Sequence, residues 1–230
     1  MAADLGGRRA LVTGATGFIG GRLAERLIAE GVSVRALVRG YGSAVRLARL
    51  PVEIVQGDAT DRVALAAVAR GCDYVFHCAY GTSGSQRHRS WVNIEGTRRL
   101  IEAAAGAKRI VHLSTLMVYG RTGDGDLDET APRRRFGNPY SDSKLQAEKI
   151  ALKAARAGRA AVTVLQPTAV YGPWGGVWTA GVLHALKHGR QILVDGGEGF
   201  ANAIYVDDLV DAMVRAATRD QAVGEAFLIS

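Results

Sequence analysis

The stretch RALVTGATGFIGG, residues 9–21, decides the fold. RALVTG is a short apolar run that reads as a buried strand, and FIGGRLAERLIAEG, from Phe18, reads as a helix closed by Gly31. Between them stand Gly14, Gly17 and Gly20, three apart. In that context each glycine has a separate task. Gly14 permits the tight turn, Gly17 lets a pyrophosphate approach the backbone, and Gly20 allows the helix to pack on the strand. Amides near Phe18 and Ile19 then face the phosphate at the helix N-terminus.

Outward from this turn the same unit repeats. VSVRALV (32–38), VEIVQ (52–56), DYVFHC (73–78), RIVHLS (109–114) and AVTVLQP (161–167) read as strands. Helical patterns at 61–70, 91–105 and from Pro139 to about Arg156 separate them. Strands apolar on both faces and alternating with helices predict an α/β protein, a doubly wound parallel (Rossmann) sheet with helices on both faces. Residues 1–168 form the expected dinucleotide-binding core. The pattern weakens over 169–204, a substrate-side segment with YGPWGGVW, a helix around 177–188 and a short strand QILV (191–194). Residues 205–230 are expected to return to the core as a helix from Asp207 to Ala217 and a closing strand, EAFLIS. This C-terminal substrate region is small, and the pocket it implies awaits completion by further chain or a partner subunit.

The end of the second strand bears on the choice of cofactor. An acidic residue there holds the ribose hydroxyls of NAD, whereas a cation accepts the 2′-phosphate of NADP. VSVRALVRG places Arg39 at that point with no carboxylate beside it. A guanidinium suits a phosphate, so NADP is favoured over NAD. The alternative is a surface arginine that only packs along the sheet edge.

Composition narrows the rest. The net charge of +7 and pI near 9.7 admit a nucleic-acid partner, but the basic residues are scattered, and an anionic small ligand explains them as well. Arg133, Arg134 and Arg135 read as a solvated loop. Cys72 and Cys78 are too few for a disulfide scaffold and form no CxxC pair, which argues against metal or redox roles. No apolar run approaches the ~20 residues that span a bilayer, so neither membrane nor nucleic acid is expected and a cytoplasmic location is.

NPYSDSK, residues 138–144, sets Tyr140 four residues before Lys144. Asn138 is a cap, Pro139 suits the first helical position, and a helix brings residues four apart onto one face. An ammonium beside a phenol lowers its pKa, the route by which a tyrosine becomes an acid or base at neutral pH. Alone the spacing is weak, since such pairs also arise on solvated helices.

The ordered set TGATGFIG, GDATD (57–61), VFHCAY (75–80), VNIEGT (92–97), LSTLMVYG (113–120), YSDSK (140–144), QPTAVYGP (166–173) and YVDDLVDA (205–212) resembles extended short-chain dehydrogenases/reductases, the NAD-dependent epimerase/dehydratase family, along nearly the whole chain. The resemblance implies that Tyr140 exchanges a proton with a substrate carbonyl or hydroxyl. It implies that Lys144 binds the nicotinamide ribose and lowers the tyrosine pKa, and that Thr115 hydrogen-bonds the same substrate oxygen, with Ser114 as support. It further implies Asp58 and Ala59 as the adenine contact, Cys78, Ala79 and Tyr80 as the segment lining the cofactor, and Pro167 and Val170 near the carboxamide. Asn93 either touches the cofactor or ties down its own helix.

Departures from the family pattern bear on the reaction. Leu116 and Met117 follow Thr115 where dehydratases carry an Asp-Glu pair, and Ala201 and Asn202 stand where nucleotide-sugar epimerases commonly carry an arginine. GDATDRVALAAVARGCDYVFHCAY with VRALVRG is similar to the dihydroflavonol-reductase-like and 3β-hydroxysteroid-dehydrogenase-like branch. The expectation is an NADP-dependent oxidoreductase interconverting a ketone and a secondary alcohol on a small substrate. An epimerase of a sugar or nucleotide sugar is the alternative, and a nucleotide sensor without turnover the third reading. Trp174, Trp178 and His184 lie where a substrate pocket forms or where a lid packs. A homodimer through the helix bearing Tyr140 and the one before it is also expected.

Overall fold

The computed structural model describes residues 5–122, 125–190, 193–199 and 201–230. In chain order, β1 (Arg9–Thr13), α1 (Phe18–Ala29), β2 (Ser33–Val38), β3 (Val52–Gln56), α2 (Arg62–Ala69), β4 (Tyr74–His77), α3 (Gln86–Ala103), β5 (Arg109–Leu113), α4 (Pro139–Arg156) and β6 (Val162–Pro167) alternate strand and helix. There follow β7 (Ala169–Tyr171), α5 (Val182–Lys187), β8 (Ala203–Tyr205), α6 (Val206–Thr218) and β9 (Ala226–Ile229). The main sheet has seven strands in the order β3-β2-β1-β4-β5-β6-β9, every pair parallel. This is the doubly wound Rossmann arrangement.

The sheet is apolar on both faces and each face is covered. Leu23 and Leu27 of α1 with Leu209 and Met213 of α6 close one face. Leu65 and Val68 of α2, Leu100 and Ile101 of α3, and Ala151 and Leu152 of α4 close the other. Ion pairs join α1 to α6, Arg22 to Asp207 at 2.5 Å and Arg26 to Asp211 at 2.5 Å. These side chains are part-exposed, so each pair contributes no more than about 1 kcal/mol.

Register sets the site. Thr13 lies level with His77, His77 with His112, and Leu113 with Leu165, so β1, β4, β5 and β6 end along one edge. Winding reverses between β1 and β4, which opens a crevice at those carboxyl ends.

Some boundaries differ from expectation. α3 begins at Gln86 rather than 91, capped by Ser85, whose hydroxyl accepts the His88 amide at 3.2 Å. QRHRS carries no apolar period to announce that first turn. The helix expected at 177–188 is divided into a π-helical turn, Gly176–Gly181, and the short α5. Of the strand expected at 191–194, Gln191 and Ile192 lie outside the described residues, and Val194 opens a 3-10 turn to Gly197. β7 and β8 form a separate two-stranded parallel sheet that the sequence reading did not contain, each strand being only three residues long. β9 pairs with β6 as the closing strand. Among the described residues no helix is long and apolar enough to cross a membrane.

Candidate active site

The glycine-loop end of the crevice is backbone. Gly14 has φ +74°, and a Cβ there would come within 2.8 Å of the Cys78 carbonyl and the Ala79 amide. Only glycine suits both the conformation and the contact. A Cβ on Gly20 would collide with the Gly14 carbonyl, and Gly17, the N-cap of α1, donates its amide to that carbonyl at 3.0 Å. The loop therefore presents the amides at Phe18 and Ile19 without side chains in the way, a cradle that fits a pyrophosphate. Thr13 braces it, its hydroxyl 2.8 Å from His77 Nδ1 and 3.4 Å from the Ala79 amide.

Arg39 stands exposed directly after β2 and donates to the Ser83 hydroxyl at 2.6 Å. Asp58 follows β3, its carboxylate accepting the Thr60 amide at 2.7 Å and the Thr60 hydroxyl. Burial works to raise the Asp58 pKa, but those hydrogen bonds and the charges of Arg39 and His88 outweigh it and hold the carboxyl below its ordinary range. Ala59 adjoins it, its carbonyl against Gly96 of α3. An exposed cation with a hydroxyl beside it fits a phosphate ester at this edge.

At the far end of the crevice the predicted Tyr140, Thr115 and Lys144 come together. Asn138 accepts the Tyr140 amide at 2.9 Å and Pro139 takes the first helical position, so α4 starts where the residue types require. The Thr115 side chain lies close enough to the Tyr140 phenol to pull its pKa down. Thr115 is buried, and its Oγ1 also accepts the Met117 amide at 3.3 Å. The Tyr80 ring meets the Tyr140 ring edge-on at 5.2 Å.

Lys144 is 6% exposed and donates to the Leu113 carbonyl at 2.8 Å, with its Nζ 5.9 Å from the Tyr80 ring centre. Burial pushes its pKa down to about 8, against the pull of Cys78 and Glu148. Here one expectation is corrected. Tyr140 lies above its ordinary value, because burial outweighs the pull of Thr115 and Tyr80 adds to the rise. Lys144 does not enter that balance, and its ammonium donates to a carbonyl of β5.

The remaining candidates ring this crevice. Cys78 and Ala79 follow β4, and burial lifts the Cys78 thiol to about 12. Pro167 ends β6 beside Ile229, and Val170 sits in β7 against the core. Asn93, within α3, accepts the Gly81 amide at 2.8 Å and donates to Ser143 at 3.0 Å, tying its own helix to the segment after β4 and to α4. Trp174 and Trp178 are exposed, and Trp174, at φ 71°, lies over the Arg46 guanidinium at 5.2 Å. His184 stacks on His188 at 4.1 Å, outside the cluster.

Two residues escaped the sequence reading. Glu148, completely buried, accepts Ser114 Oγ at 2.6 Å and Gln166 Nε2 at 2.9 Å. Arg133 is not a solvated loop residue: its Nε lies 2.6 Å from Glu148 Oε1, an ion-pair contact without a well-aligned hydrogen bond. Arg135 pairs with Asp142 at 3.4 Å, and Arg134 alone of the run stays exposed without an ion pair among the described residues. Among the described residues no group of three His, Cys, Asp or Glu could hold a metal.

The family model described as the NAD dependent epimerase/dehydratase family matches residues 10–230. Over 234 residues the chain is 32% identical to a 4-hydroxy-2-methyl-3-oxo-4-farnesyl-3,4-dihydroquinoline-1-oxide ketoreductase of Stigmatella aurantiaca, covering 96% of this chain and 68% of that protein. It is 31% identical over 238 residues to a 2-alkyl-3-oxoalkanoate reductase of Shewanella oneidensis, covering 96% of this chain and 61% of that one. The crystal structure of DesIV, a dTDP-glucose 4,6-dehydratase from Streptomyces venezuelae with NAD and TYD bound, superposes with a TM-score of 0.83 at 25% identity, over 96% of this chain and 75% of that one. The chain thus spans 61–68% of the length of these two curated relatives.

Proposed function

The chain belongs to the NAD-dependent epimerase/dehydratase family, and within it we propose an oxidoreductase that interconverts a ketone and a secondary alcohol with NADP. The observation that carries this reading is the gathering of Thr115, Tyr140 and the buried Lys144 at the same sheet edge as the glycine loop. The Tyr140 phenol carries its proton at neutral pH and can donate it to a carbonyl oxygen; the rise caused by burial makes it a weaker acid, which a cation beside it would offset. Thr115 Oγ1 hydrogen-bonds the same oxygen and orients it.

Gly14, Gly17 and Gly20 with the amides at Phe18 and Ile19 would hold the pyrophosphate, and Arg39 with Ser83 the 2′-phosphate. Asp58 and Ala59 would border the adenine, and Cys78, Ala79, Tyr80, Lys144, Pro167 and Val170 the nicotinamide side. When bound, the nicotinamide supplies or accepts the hydride. Leu116 and Met117 offer no acid or base after Thr115, which disfavours elimination of water. Exposed Met117, Phe136 and Tyr80 favour a substrate with an apolar body. The ketone-reducing relatives point the same way.

The likeness to DesIV supports a second reading, an epimerase of a sugar or nucleotide sugar. A panel of apolar ketones and of nucleotide sugars, incubated with NADPH, separates the two. Oxidation of NADPH matched by alcohol is the expected result; epimerisation of a nucleotide sugar without net oxidation would replace it. Pairing of two chains through α3 and α4 is part of the proposal, tested by the mass in solution.

A further inference from the structure

Behind Thr115 and Tyr140 lies a buried polar cluster that the proposed reaction does not use. Glu148 sits one helical turn after Lys144 on α4 and is 0% exposed. Taking a carboxylate out of water costs several kcal/mol unless it is paired and hydrogen-bonded. Glu148 is both. Oε2 accepts Ser114, Oε1 accepts Gln166, and Arg133 reaches Oε1 from the segment that leads into α4. Tyr119 extends the cluster, donating its phenol to Gln166 Oε1 at 2.8 Å while its ring lies under the Arg133 guanidinium at 5.6 Å.

The surroundings of Lys144 explain why a carboxylate rather than an amide stands there. β4 and its end bring His77 and Cys78, β5 brings His112, the following segment brings the Tyr80 ring, and α4 brings Tyr140 and Glu148. Both histidines are buried and held neutral, and the thiol and phenol stay protonated at neutral pH. Among these described groups Glu148 is the one carboxylate, paired with Arg133. Lys144 itself donates to the Leu113 carbonyl and lies by the Tyr80 ring.

We propose that Glu148 is the counter-charge that keeps Lys144 an ammonium in the buried site, and that Arg133, by sharing this carboxylate, couples the segment before α4 to the acid–base behaviour of Lys144. Glu148 is thus a positioning residue, and its importance to turnover rests on the oxidoreductase reading above. The coupling itself does not, so it can be measured without a substrate.

The chain has five lysines, so carbon-13 labelling of their side chains and NMR titration resolves them, with Lys144→Met assigning the signal of interest. In the wild type the Lys144 midpoint is expected near 8. Glu148→Gln keeps the shape and most hydrogen bonds but removes the charge, and should move that midpoint to lower pH. Arg133→Met frees the carboxylate and should move it to higher pH. Opposite shifts support the proposal, whereas an unmoved midpoint in both variants, or shifts in the same direction, overturns it. If Glu148→Gln fails to fold, Arg133→Met decides: an unchanged or lowered midpoint contradicts the coupling. Loss of ketone turnover with the opposite shifts intact would count against the reaction, not against Glu148.

Discussion

The two ends of the crevice are made of different materials. The glycine-loop end is backbone, a turn at Gly14, Gly17 and Gly20 in which added atoms would strike the Gly14 carbonyl or the Cys78–Ala79 peptide. The other end is side chains, with Thr115, Tyr140 and Lys144 packed among His77, His112, Cys78 and Glu148. The first end should be sensitive to volume and indifferent to pH. The second should tolerate changes of shape better than changes of charge.

The largest effect on nucleotide binding is expected at the volume-sensitive end. Gly20→Val forces a branched side chain against the Gly14 carbonyl, and overpacking of this kind costs typically ~1–3 kcal/mol. NADPH affinity should fall at least ~100-fold, about 2.7 kcal/mol, as the loop is displaced. Denaturant unfolding and a fluorescence titration read the two effects, and a Gly20→Val protein with unimpaired affinity would break the contrast.

At the other end, charge should govern stability. Lys144 loses its proton near 8 in the native state and near 10.5 when unfolded. Between those values the unfolded chain holds the extra proton, so stability should rise with pH, by on the order of 3 kcal/mol at most. Lys144→Met should lack that rise. His77 works in the acid range: its native value is about 3 against an ordinary 6.5, so stability should fall as pH drops from 6.5 toward 3. Urea midpoints at pH 5, 7, 8.5 and 10 sample both windows, and a flat profile would contradict the buried-charge account.

A smaller effect is expected at Arg39. Arg39→Glu should weaken NADPH and spare NADH, changing the preference by about 10-fold or more, ~1.4 kcal/mol. An unchanged ratio would return Arg39 to an ordinary surface arginine. The smallest concerns His112, whose ring nitrogens have no hydrogen-bond partner among the described residues. His112→Phe should alter stability at pH 7 by less than ~1 kcal/mol while reducing acid sensitivity, because no satisfied hydrogen bond is lost.

The glycine turn could be read from residue types because a tight turn and a close contact are local demands that glycine meets. The Tyr140–Lys144 spacing was readable for the same reason, a helix putting residues four apart on one face. What could not be read depends on packing between distant segments. Glu148 in LQAEKI looks like one more charged residue on a solvated helix face, and only the ends of β5 and β6 closing over it make it buried. Arg133 reads as one of three loop arginines until that carboxylate selects it. Lys144 was expected to lower the Tyr140 pKa, but its orientation toward Leu113 and the burial of the phenol are tertiary facts. Likewise, three-residue strands such as β7 and β8 carry too little pattern to announce themselves.

The most direct test of the account is a paired measurement on Tyr140→Phe, NADPH affinity by fluorescence titration and ketone turnover by NADPH oxidation. If Tyr140 moves the proton while the glycine loop holds the nucleotide, affinity should stay within about twofold and turnover should fall ~10²–10⁴-fold. Turnover that survives the substitution would contradict the assignment of Tyr140, and affinity lost together with turnover would contradict the division of the crevice into two separable ends.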